Sequence, residues 1–163
     1  MKLYMGLLFN KKHPVDLFAP VTGVLKSIEK VSDEVFASKA MGDGFAVEPS
    51  NGEIYAPVNG TVTSVFPTKH AIGLKTKDKK DKLEVLVHLG IDTVELNGQG
   101  FEVFVKEGDV VSPKTKLANV DLKYLASENK PDDIMVIFTN LEKRSLNYDS
   151  GEVSHGDKVG TVE

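Results

Sequence analysis

The sequence contains no cysteine. That excludes disulfides, thiol catalysis and cysteine-ligated zinc, and is compatible with a reducing compartment. Nor is there a large excess of either charge: 20 Lys and Arg stand against 24 Asp and Glu, a net charge of −4. Without a basic field to hold a polyanion, nucleic acid is not an expected partner. The apolar stretch within Met1 to Phe9 falls far short of the ~20 residues that a membrane-spanning helix needs, and no small-residue cleavage site follows it. Residues 1–16 read as a flexible leader that can graze a membrane surface, with no transmembrane segment and the cytoplasm as the expected compartment. Also missing is a glycine-rich phosphate loop ending in Lys-Ser or Lys-Thr, so a bound nucleotide is not called for.

A sustained helical period is lacking as well, and what replaces it is a series of short β-branched runs. Thr61 to Phe66, Phe101 to Val105 and Ile134 to Phe138 are separated from their neighbours by frequent Gly and Pro, the pattern of many short strands in a sandwich or barrel. The fold class is therefore mostly β, in one domain over residues 17–163. Ala19-Pro20-Val21-Thr22-Gly23-Val24 is echoed by Ala56-Pro57-Val58-Asn59-Gly60-Thr61, and the Gly108-Asp109 turn by Gly156-Asp157. Two copies of each suggest pseudo-symmetric halves. Single helical turns are expected after Asp92 and Asp121, each placed as an N-cap. The mixed-sign run Lys75 to Lys82 reads as a solvated hairpin loop.

Two histidines flank that loop. The run Leu83 to His88 ends a strand, with Glu84, Leu86 and His88 on one face, and His70 to Leu74 reads as its partner strand. A turn centred on Lys79 pairs Ile72 with Leu86 and His70 with His88. Opposed Cβ atoms lie roughly 4.5–5.5 Å apart, so two imidazoles there can share one small group such as a phosphoryl. A slip of one residue would separate them onto opposite faces. A neutral imidazole nitrogen is a competent nucleophile near neutral pH. Equally, each histidine alone suits a hydrogen-bonded strand or turn residue. Thr68, two residues before His70, can fix that ring's tautomer through its hydroxyl, and also suits a turn. The Gly90 carbonyl can accept a proton from one nitrogen of His88 and leave the other free. His13 and His155 carry no assigned chemistry.

Phe36-Ala37, Gly42 to Pro49, Ala56 to Gly60, Phe66-Pro67-Thr68-Lys69-His70-Ala71, Val87 to Val94 and Gly98-Gln99-Gly100-Phe101, in this order, resemble the glucose-type enzyme IIA family of the bacterial sugar phosphotransferase system. The resemblance runs from about Leu17 onward. It implies a compact antiparallel β-sandwich of the duplicated-hybrid-motif type. It implies that His88 accepts a phosphoryl group from the carrier protein HPr and passes it to a cysteine on the IIB domain of a sugar permease. In that reading His70 stabilises the phosphoryl group, Thr68 supports His70, and no cofactor is required. A partner-docking apolar patch is implied at Val35, Phe36, Ala40, Met41, Phe66, Leu86 and Val94, each of which also suits a core position, with rim carboxylates at Asp33 and Asp92. Leu86 and Leu89 stand where some relatives have aromatics, and Pro113-Lys114 where a turn glycine is common.

Other readings fare worse against the residues. A zinc peptidase on a similar fold needs His-x-His and His-x-x-x-Asp pairs, where this chain has Leu86 and Leu74. Adventitious zinc between His70 and His88, completed by another protein's carboxylate, is compatible with the pair. A biotin- or lipoyl-type carrier needs a lysine in a tight Met-Lys hairpin, and Lys79 and Lys80 lack that flanking. A catalytically silent relative that only regulates transporters or metabolic enzymes is the remaining alternative.

Overall fold

Glycine and proline interrupt the chain so often that no strand among the described residues exceeds seven residues. The computed structural model describes residues 14–77 and 82–163. Among these the strands are β1 (Val15–Phe18), β2 (Gly23–Ser27), β3 (Asp43–Pro49), β4 (Glu53–Tyr55), β5 (Gly60–Val65), β6 (Ala71–Thr76) and β7 (Glu84–Leu89). The chain continues through β8 (Phe101–Val103), β9 (Val110–Val111), β10 (Lys116–Val120), β11 (Ile134–Phe138), β12 (Leu146–Tyr148), β13 (Gly151–Val153) and β14 (Lys158–Val162). The helices are Glu34–Ala37 and Leu122–Ser127, in keeping with the missing helical period. No helix among the described residues is long and apolar enough to cross a membrane.

All pairings are antiparallel. The large sheet has the order β13-β2-β3-β11-β7-β6-β5-β9, and two three-stranded sheets have the orders β1-β14-β12 and β4-β10-β8. The expected internal symmetry is visible in the bonding. Phe18 N–H donates to the Pro57 carbonyl and Tyr55 N–H to the Pro20 carbonyl, at 2.9 and 2.7 Å, a reciprocal pair linking the two Ala-Pro repeats. In the two Gly-Asp turns, Asp109 accepts from Lys106 N–H and Asp157 from Ser154 N–H, three residues back in each case. The glycines there hold φ of +95° and +83°, a backbone shape that side chains resist.

Alternation along the strands sorts side chains into two layers. Leu25, Phe45, Val47, Ile72, Leu74, Val85, Val87, Leu89, Ile134, Val136 and Phe138 face inward, packing with Leu17, Ile54, Leu117 and Val162 of the small sheets in the main core. Among the described residues the opposite face of the large sheet carries a cover over its middle strands. There Ala46, Met135 and Ile137 pack beneath Ile28, Val31 and Phe36 as a second, smaller cluster. The central strand β11 is thus buried on both faces.

Local readings met mixed outcomes. Asp121 caps the Leu122–Ser127 helix through Tyr124 N–H. Asp92 precedes the turn Thr93–Leu96, but its φ is +58° and its carboxylate makes no capping bond. In that conformation its side chain does not face the turn's free N–H groups. Val15 and Asp16, the last two residues of the expected leader, pair with Val162 and Thr161 in β14; residues 1–13 lie outside the described residues. The charged run also starts inside a strand: Lys75 pairs with Glu84, and Thr76 is buried with its hydroxyl accepting from Leu83 N–H at 2.9 Å.

Candidate active site

His88 ends up outside the main core because Val85, Val87 and Leu89 take the inward positions of β7. Its cross-strand neighbours are Met135 and Ala71, both fully buried. That register differs from the expected one by one residue: Ala71 opposes His88 and Ile72 opposes Val87, so the expected Ile72–Leu86 and His70–His88 pairs do not form. The expected turn centre, Lys79, lies outside the described residues. Continued as a regular strand, this register would send His70 to the far face.

The chain avoids that outcome by leaving the strand. Lys69 adopts φ of +60°, its N–H donates to the Phe66 carbonyl at 2.7 Å, and Phe66 N–H donates to the Ala71 carbonyl at 3.1 Å. This tight turn re-aims His70, whose own carbonyl accepts from Leu89 N–H at 2.7 Å. The rings of His70 and His88 meet edge to face with centroids 5.1 Å apart. They come together through a turn rather than through strand pairing.

Each ring has a defined polar contact. His88 Nδ1 lies 2.7 Å from the Gly90 carbonyl, which can only accept, so Nδ1 carries the hydrogen and Nε2 keeps its lone pair. His70 Nδ1 lies 2.6 Å from the Thr68 hydroxyl. Burial pushes the His88 pKa down to about 4, and the neighbouring His70 adds to the effect, against smaller opposing contributions from the Gly90 carbonyl and the Asp33 carboxylate. His70 is 6% exposed, and burial lowers its pKa too. At neutral pH the site presents a neutral imidazole with a free Nε2 lone pair beside a second neutral imidazole.

Apolar rings flank this pair. Phe36 is buried in the smaller cluster with its ring 4.8 Å from that of His88, and Leu86 is half-buried beside the same cluster. Val35, Met41, Phe66 and Val94 are exposed large hydrophobics, and Ala40 is exposed as well. Phe66 packs edge-on to His70 at 5.4 Å. Asp33 turns out to be the N-cap of the Glu34–Ala37 helix, accepting from Val35 and Phe36 N–H at 2.8 and 3.2 Å. That cap aims the helix carrying Val35 and Phe36. Sequence reasoning missed the direct contact of Phe36 with His88 and the turn at Lys69, neither of which has a local signature. Among the described residues no group of three or more His, Asp or Glu is placed to hold a metal ion. His155 stacks flat on Tyr55, with ring centroids 3.9 Å apart, and takes no part in this site.

Comparison with known proteins agrees with the fold. Residues 15–144 match the family described as phosphoenolpyruvate-dependent sugar phosphotransferase system, EIIA 1. The glucose-specific EIICBA component of the phosphotransferase system of Staphylococcus carnosus (strain TM300) is 44% identical over 148 residues. That alignment covers 90% of this chain, and the chain spans 22% of that relative's length. The solved structure of glucose permease IIA from Mycoplasma capricolum superposes with a TM-score of 0.85 at 40% identity, covering 92% of this chain and 96% of the other. With its antiparallel β-sandwich and paired histidines, this chain belongs to the EIIA 1 family of the sugar phosphotransferase system.

Proposed function

We propose that the protein is a phosphoryl carrier that accepts a phosphoryl group on His88 from phospho-HPr and passes it to a cysteine on the IIB domain of a glucose-type sugar permease, on the cytoplasmic side of the membrane. The observation that carries this reading is the bond from His88 Nδ1 to the Gly90 carbonyl, which leaves Nε2 as the nucleophile. In the accepting step the Nε2 lone pair forms a bond to phosphorus as the N–P bond of the donor phosphohistidine breaks, the bonding pair returning to the donor imidazole. The His88 ring becomes cationic, and its charge is stabilised through Nδ1–H on the Gly90 carbonyl. In the donating step a cysteine thiolate attacks phosphorus and the N–P electrons return to His88.

Phosphoryl transfer asks the protein mainly for positioning and charge stabilisation. His70 supplies the latter. If Thr68 donates its hydroxyl hydrogen to His70 Nδ1, the hydrogen of the neutral ring sits on Nε2, where it can donate to a phosphoryl oxygen. Apolar side chains at Val35, Phe36, Ala40, Met41, Phe66, Leu86 and Val94 form the docking surface that excludes water from the transferring group, and Asp33 and Asp92 at the rim meet basic groups of the partners.

The test is transfer of labelled phosphate from phosphoenolpyruvate through enzyme I and HPr to wild type, His88→Ala and His70→Ala, then onward to a IIB domain. Acid-labile label on wild type and on His70→Ala but not on His88→Ala, with poor onward transfer from His70→Ala, is the expected pattern. Absence of label on wild type from a competent HPr overturns the carrier role and leaves a silent, regulatory relative.

A further inference from the structure

The Gly90 carbonyl can fix the His88 tautomer only if it is itself held, and Gly90 lies in a loop just beyond the end of β7. Its φ is +79°, so the peptide is free of local strain only because the residue is glycine. What holds it is the chain entering β11. Gly90 N–H donates to the Asp133 carbonyl and Ile91 N–H to the Pro131 carbonyl, both at 3.0 Å. The fit is close: a Cβ at Gly90 would stand 2.9 Å from the Pro131 oxygen and 2.7 Å from Thr93 Cγ2. Thr93 in turn donates its hydroxyl to the Leu89 carbonyl at 2.6 Å.

Asp133 is anchored at its other end as well. Its carboxylate Oδ2 lies 3.0 Å from Lys26 Nζ, with the two side chains 11% and 16% exposed. Lys26 also bonds Glu48 at 2.9 Å. Lys26 belongs to the same row across the sheet as His88, running Lys26, Ala46, Met135, His88 and Ala71 through successive register pairs. The ion pair therefore ties β2 to the first residue before β11, on the face that carries the histidines. Burial by itself would lower the Lys26 pKa, but its bonds to Glu48 and Asp133 raise it, so the ammonium stays charged. A pair so sheltered is a poor source of net stability, but its geometry is well defined.

We propose that Asp133 is a positioning residue for His88: bound to Lys26 through its carboxylate and to Gly90 through its carbonyl, it holds the Gly90 carbonyl on His88 Nδ1 and keeps the hydrogen off Nε2. The inference rests on the carrier reading for its catalytic consequence, but its structural content is a statement about the free protein. Removing the anchor lets the Gly90 peptide shift, and the unconstrained ring then populates the Nε2–H tautomer, which has no lone pair on Nε2 to attack phosphorus.

The test compares wild type, Asp133→Asn and the double variant Lys26→Met/Asp133→Leu, which removes both charges together and so leaves neither buried alone. Ring ¹⁵N shifts of His88 report the tautomer, thermal unfolding reports the fold, and labelled transfer from phospho-HPr gives kcat and KM separately. Wild type and Asp133→Asn, whose amide oxygen still accepts from Lys26, are expected to show Nδ1–H. The double variant is expected to remain folded, to show a mixture of tautomers, and to lose roughly ten- to a hundredfold in kcat with KM unchanged. A folded double variant with the wild-type tautomer and rate overturns the proposal, as does one whose only change is in unfolding temperature. Failure of wild type to take phosphate would overturn the carrier reading alone, since the tautomer comparison needs no phosphoryl transfer.

Discussion

The neutrality of His88 makes a quantitative prediction about stability against pH. An unfolded chain holds this imidazole at the ordinary pKa of 6.5, whereas burial in the fold lowers it to about 4. Between those values the unfolded chain binds more protons than the native one, so acidification favours unfolding. The stability that depends on a neutral His88 is fully present above pH 6.5, declines through the window below it, and is lost once the pH falls through about 4. At 1.36 kcal/mol per pH unit the whole loss is about 3 kcal/mol, a large share of the stability of an ordinary domain. The perturbation is His88→Gln, which keeps a polar side chain of similar reach and cannot titrate in this range. Denaturant unfolding of both proteins at pH 7, 5.5 and 4 gives the difference in stability at each pH. That difference should move by about 1 kcal/mol, against wild type, between pH 7 and 5.5, and by about 3 kcal/mol by pH 4. His70 titrates in both proteins, so its contribution largely cancels. A flat difference, or a His88 ring resonance that titrates at 6.5, would refute the claim that burial keeps the His88 ring neutral.

Further outcomes follow from individual contacts. Asp33→Ala should cost about 1 kcal/mol by removing the helix cap and should also lower the His88 pKa slightly further, because the Asp33 carboxylate adds to the Gly90 carbonyl in opposing burial there; Asp121→Ala should cost a similar amount in denaturant unfolding and leave the His88 titration unchanged. Phe36→Ala should destabilise by about 3 kcal/mol, since the ring is buried in the smaller cluster, a loss measurable by the same unfolding curves. Val35→Ser, Met41→Ser and Val94→Ser should leave the unfolding temperature unchanged, because these side chains are exposed, and each should weaken HPr binding severalfold in calorimetry. Thr68→Val, which keeps shape and removes the hydroxyl, should slow onward transfer to a IIB domain while labelling of His88 persists.

Much of the site could be read along the chain because it depends on local rules. Alternation in Leu83 to Leu89 requires that His88 leave the core whenever Val85, Val87 and Leu89 enter it, and the structure follows that rule. The Gly-Asp turns were legible because an aspartate accepting a backbone N–H three residues back needs only its own tetrapeptide. The hairpin register was not, because a polar loop tolerates several lengths and register is set by the faces it buries. The expected pairing of the two histidines was off by one residue, and their meeting depends instead on the turn at Lys69. Local rules also failed at Asp92, where a capping signature is present and the backbone conformation leaves it unused, and at Asp33, whose capping bonds went unread beside its expected place on the rim.

By itself the sequence determined the mostly β fold, the short strands, the duplicated turns and the residue types at the reactive pair, all of which follow from periodicity, turn chemistry and order along the chain. Only the tertiary structure decided the register of β6 on β7, the placing of Phe36 against His88, and the pairing of Lys26 with Asp133. The last two contacts join residues tens of positions apart, and the register spans a polar loop that does not fix it, so all three are selected by how the layers close over one another, a condition that no single segment contains.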